Sequence, residues 1–161
     1  MKNTQRGFAL LVAIIFMSVM LTFGLALGSL AYKQQVLASS AVESQQAFYA
    51  ADAALECALY YDQQQNLFAY PASDPAPAVP AITCDGIPAI SSTETWSASQ
   101  FTVTNRVQLD SNKHCADVTV YKPPPGTGTT YIFSQGYDVS CSTVASPSGA
   151  RFAARGLKVH Y

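Results

Sequence analysis

The chain has 161 residues, with 49% hydrophobic, only 12% charged and a formal net charge of −1. So few charges, with no block of lysine or arginine, exclude a surface built for strong nucleic-acid binding. The only histidines, His114 and His160, belong to no motif with a nucleophile, and no phosphate-cradling glycine loop occurs. Catalysis is therefore not expected, and no cofactor is expected either.

The N-terminal segment MKNTQRG carries Lys2 and Arg6, and the run from Phe8 to Tyr32 then carries no charge for twenty-five residues. At about 1.5 Å per residue, a helix of that length exceeds the hydrocarbon core of a bilayer, about 30 Å. Positive charge ahead of the run, with only Lys33 just behind it, predicts a cytoplasmic N-terminus and export of the remainder. A secretory signal peptide fits this run, because Ser29 and Ala31 supply small residues where signal peptidase reads them. An uncleaved membrane anchor fits it too. Gly24 and Gly28 form a GxxxG pair, a spacing that lets another helix approach closely in lipid. The same glycines lower helix stability locally, by about 1 kcal/mol each relative to alanine.

Residues 33–61 contain no proline and no glycine. Leu37, Ala41, Phe48, Ala51, Leu55 and Leu59 recur in steps of three, four or seven, while Lys33, Glu43, Asp52 and Glu56 supply wetter faces. One helix is predicted from Phe8 to about Tyr61, roughly 80 Å long. It is apolar all round over 8–32 and amphipathic over 33–61.

Residues 62–99 read as a proline-rich loop containing QQQN, PASDPAPAVPAI and a Ser/Thr cluster. Trp96 is expected to anchor the end of this loop on the sheet. From 100 to 161 the signal turns to strands. Phe101–Thr104 and Arg106–Leu109 alternate, with an apparent change of phase between them, and Ala116–Lys122 alternates cleanly. Tyr131–Val139 follows the KPPPGTGTT turn, with Gly136 marking a bulge or a close backbone approach, and Ala150–Tyr161 ends the chain. The fold class is thus α+β: a long N-terminal helix whose amphipathic half covers an antiparallel sheet of about four strands.

Cys57, Cys84, Cys115 and Cys141 all fall in the part predicted to be exported. An even count there favours disulfides. Three connectivities are open. Cys57–Cys84 and Cys115–Cys141 are preferred because each joins sequence neighbours, the first stapling the loop to the helix and the second joining the strands that flank the KPPPGTGTT turn. Zinc is disfavoured by the lack of CxxC or HxxxH spacing. Asp110-x-Asn112 begins like a calcium loop, but His114 breaks the alternation and no later glycine and glutamate complete it.

Two motifs add a resemblance. Arg6-Gly7-Phe8-Ala9-Leu10-Leu11 resembles the class III leader junction of type IV pilins and type II secretion pseudopilins, which are cut between a glycine and an apolar residue. Some forty residues on, Ala47, Ala50, Ala51, Asp52, Ala53, Leu55, Glu56 and Ala58 match the A-x-x-A-A-[DE]-A-x-[LI]-E-x-A segment of PilX-type minor pilins. The linked pair covers roughly the first sixty residues; the rest matches that family only in layout. The resemblance implies removal of leader residues 1–7 by prepilin peptidase at Gly7, N-methylation of Phe8, and retention in the bacterial cytoplasmic membrane as a single-pass protein. Incorporation into a pilus with other major and minor pilins, through an inner-membrane assembly platform, would follow. One departure is Val12, where major pilins carry a glutamate thought to pair with a neighbouring subunit's N-terminal amine. A subunit lacking that carboxylate fits the filament tip. Two other functions remain open: a type II secretion pseudopilin, and an exported binding protein released by signal peptidase after Ala31.

Overall fold

The computed structural model describes residues 5–72 and 80–161. The chain divides into two compact units, one reaching to Ala41 and one spanning Val42–Tyr161. A single helix, α1 (Gln5–Gln63), contributes to both, two residues longer at its C-terminal end than the sequence suggests. The absence of proline and the density of alanine, leucine and glutamine account for its continuity.

In the second unit α1 is followed by β1 (Thr83–Cys84), β2 (Ile87–Pro88), β3 (Ser91–Ser97), β4 (Gln100–Leu109), β5 (His114–Lys122) and β6 (Tyr131–Tyr137). A short helix, α2 (Cys141–Ala145), and β7 (Ala154–His160) complete it. β3 to β7 form a five-stranded antiparallel meander in chain order, and β1 and β2 pair as a separate two-stranded sheet. Two expectations are corrected here. The sheet has five strands rather than four, and it begins at Ser91 rather than at residue 100, so 62–99 is not one loop. β3 reads SSTETWS, and its inward positions are Ser92, Glu94 and Trp96, a pattern too polar to register as a strand by hydrophobic alternation. Trp96 does pack against the core, as a β3 residue beside Tyr70. The centre of the PASDPAPAVPAI run, residues 73–79, lies outside the described residues.

β4 is one unbroken strand with Phe101, Val103, Asn105, Val107 and Leu109 all buried. The strand keeps one phase throughout, since Phe101, Val103, Val107 and Leu109 all fall on odd positions; what interrupts the apolar pattern is Asn105, a polar residue in an inward position. Its amide donates to the Pro80 carbonyl at 3.1 Å and accepts from Ser92 Oγ at 2.5 Å, so the buried group is satisfied.

The helix meets the sheet through small residues. Ala47, Ala50, Ala51, Ala54 and Ala58 are buried, and three of them share a core with Phe101, Val103, Val118, Val120 and Ile132. Of the stripe expected to face the sheet only Ala51 is buried; Leu55 and Leu59 pack partway, and Phe48 stays 42% exposed. The reason lies on β6. A Cβ at Gly136 would overlap the backbone of Ala47 and Ala51, so helix and strand approach to backbone contact. Only side chains of alanine size fit at such a separation. Gly136 is a close approach and not a bulge, since the register runs through it on both sides.

Candidate membrane and assembly segment

The first unit is a helix whose residues 8–41 are all exposed. Its apolar window has mean hydropathy 2.6, with none of it buried. Phe16 is 63% and Met17 77% exposed, and Leu11, Val12, Leu21 and Phe23 project around the whole circumference. By length and composition this segment could cross a membrane. Three hydroxyls in the run are satisfied within the helix. Ser18, Thr22 and Ser29 donate their hydroxyls to the carbonyls of Ile15, Val19 and Ala26 at 2.8, 2.8 and 2.9 Å. Such back-bonding is what a hydroxyl needs where no water is at hand.

The sequence-predicted positions fall as follows. Gly7 belongs to α1, and Phe8 is 72% exposed. Gly24 and Gly28 lie four residues apart in an unbroken helix, on one face, with nothing within 4 Å of where a Cβ would stand. They leave a shallow notch on the apolar surface, and α1 is continuous through both. The four cysteines form two disulfides, Cys57–Cys84 and Cys115–Cys141, with Cα–Cα distances of 6.0 and 4.8 Å. The first ties the β1–β2 hairpin to α1. The second differs in detail from the expected strand-to-strand tie, because Cys141 opens α2 and not a strand.

A polar cluster in the second unit went unnoticed in the sequence. Asp62, in the last turn of α1, is 3% exposed, and its carboxylate accepts from Lys122 Nζ at 2.6 Å to both oxygens and also from the Tyr161 hydroxyl. An acidic group opposes the dipole at a helix C-terminus, so these donors are needed to hold it there. They join the end of α1, the end of β5 and the residue after β7. Burial first, and then the Asp62 carboxylate, push the Tyr161 phenol well above the ordinary tyrosine range. The signal available in sequence was slight: an aspartate closing an alanine-rich helix, with its partners 60 and 99 residues away.

On the sheet face turned away from α1, Arg106 donates to both oxygens of Asp117 at 2.6 and 2.7 Å, and Tyr137 donates to the same carboxylate at 3.3 Å. Hydrogen bonding to Asp117 raises the Arg106 pKa further, while burial and then Asp117 raise that of Tyr137. Thr104 and Thr119 share a 3.0 Å bond beside this pair, and Tyr121 stacks on Tyr131 at 4.4 Å. This is a cross-strand lattice of satisfied groups. His114 lies near Asp110, at 3.8 Å, and no group of three or more metal-ligating side chains occurs among the described residues.

No family model, curated protein or solved structure matches the chain.

Proposed function

We propose that this chain is a minor type IV pilin, a structural and interaction subunit and not an enzyme. The observation that carries the reading is one continuous helix used in two ways: exposed and apolar over its first half, seated on an antiparallel sheet over its second. A cleaved signal peptide has no need to continue into the core helix of the exported domain. Support also comes from the Arg6-Gly7-Phe8 junction directly ahead of the uncharged run.

In this reading prepilin peptidase cuts after Gly7, Phe8 is N-methylated, and the apolar half holds the protein in the cytoplasmic membrane with the sheet outside the cytoplasm. An assembly platform then draws it into a filament, where its apolar half packs against the helices of other pilins. The notch at Gly24 and Gly28 is the place for the closest such approach. Val12, 43% exposed, puts no carboxylate into the lipid-facing surface. A subunit that neutralises no earlier amine suits the first position, at the filament tip.

Mass spectrometry of the mature N-terminus tests the assignment. A methylated Phe8 is the expected terminus; a terminus at Tyr32 means release by signal peptidase after Ala31 and ends the pilin reading. Deletion separates the machines. Loss of pilus number with normal protein secretion is expected, and the converse identifies a type II secretion pseudopilin. Immunogold label at filament ends supports the tip position, and label along the shaft refutes it.

A further inference from the structure

The two disulfides occupy contrasting surroundings. Cys115 and Cys141 are 0% and 2% exposed, sealed between β5 and α2. Cys57 and Cys84 instead both line an open groove of about 590 Å³. Tyr49, Ala50 and Ala53 of α1 form one wall of this groove, and Leu109 and His114 contribute to the other. Cys57 is half-buried on the helix flank, whereas Cys84 is 3% exposed beneath it. The element that this disulfide fastens is tied by hydrogen bonds as well: the Tyr61 hydroxyl of α1 donates to the Thr83 carbonyl at 3.3 Å, and the Asp110 N–H donates to the Asp85 carboxylate at 2.9 Å. β1 and β2 are two residues each, supplemented by the Ala89 N–H donating to the Ile82 carbonyl at 2.9 Å and by the buried Ile82 side chain.

We propose that Cys57–Cys84 is a redox-addressable site, reached through this groove by a dithiol oxidoreductase, while Cys115–Cys141 stays closed. A thiolate of the partner attacks Cys57 Sγ, the sulfur on the accessible side, and the sulfur of Cys84 leaves and takes a proton. The partner's second thiol then attacks its own sulfur in the mixed disulfide and frees Cys57 as a thiol. Two electrons and two protons pass from the partner dithiol to the pair, and the partner becomes a disulfide. The reverse sequence, from an oxidised partner, closes the bond after export. Opening it removes the covalent tie between α1 and the hairpin, so the groove changes shape while the meander keeps its own staple.

Full-length protein in detergent micelles, treated with limiting dithiothreitol and quenched with iodoacetamide, tests the access claim by peptide mapping. Alkylation of Cys57 and Cys84 is expected to lead that of Cys115 and Cys141 by roughly tenfold or more, because the sealed pair needs an opening of the fold first. Simultaneous reduction, or reduction of Cys115–Cys141 first, overturns the proposal. Ala53→Trp, on an exposed helix position, fills the groove; it should slow reduction of Cys57–Cys84 alone, and unchanged reduction rules out the groove as the route. Thioredoxin lacking its second active-site cysteine should be trapped as a mixed disulfide on Cys57. Trapping on Cys84, or no trapping, refutes the order of attack.

Discussion

Leu11 and Ala54 lie on the same helix, yet the larger apolar residue is 55% exposed and the smaller is fully buried. The contrast holds along the helix. Up to Ala41, α1 carries exposed leucine, isoleucine, phenylalanine and methionine; beyond Val42 it buries little but alanine, and those alanines face a whole sheet. Apolar bulk therefore does not locate the intramolecular interface. Under the proposed function, bulk on the first half meets lipid or neighbouring helices, where side-chain size sets the buried area. Smallness on the second half is matched to a backbone, because Gly136 lets β6 come to contact with Ala47 and Ala51.

The sharpest way to break this contrast is at the point of closest approach. Gly136→Val must push the helix off the sheet, since its Cβ has no space even before the branch is added. A loss of about 3 kcal/mol or more is expected in denaturant unfolding of the full chain in detergent, toward the upper end for overpacking. Ala54→Leu adds bulk to a position with 0% exposure and should cost about 2 kcal/mol by the same measurement.

A pH titration addresses the lower end of the helix. An ordinary tyrosine loses its proton near pH 10. Tyr161 in the folded protein is pushed above that, first by burial and then by Asp62, so the native state favours the neutral phenol. Its contribution is whole below about pH 10 and is lost as pH rises toward the raised folded value. Tyr161→Phe removes this titration and the bond to Asp62; the variant should lose less stability than wild type between neutral and strongly alkaline pH. A parallel decline in both proteins contradicts the role given to Asp62. The smallest effect belongs to Phe48→Ala. Although Phe48 sits on the stripe with the best helical spacing, it is exposed, and its loss should cost under about 1 kcal/mol in the same unfolding assay.

These positions also show what was legible in the sequence. The uncharged run, the helix continuing through it and the strands from 100 onward rest on strong local signals, whereas the cysteine pairing was only a preference for sequence neighbours among three open connectivities. β3 was missed because its inward positions carry Ser92, Glu94 and Trp96, and β4 looked interrupted because Asn105 is buried for its hydrogen bonds. The buried helix face was misplaced because hydrophobic spacing weighs large residues, whereas a glycine 85 residues after Ala51 decides which face can approach. The Asp62 cluster depends on a contact across 99 residues, which no local pattern encodes.

The most direct test of the two uses of α1 is labelling with a lipid-soluble photoactivatable reagent in vesicles that carry the full chain. The account predicts label throughout residues 8–32, around all faces of the helix, and none on Ala47, Ala50, Ala54 or Ala58. Label confined to one stripe of the first half, or label on the alanine face, would contradict it.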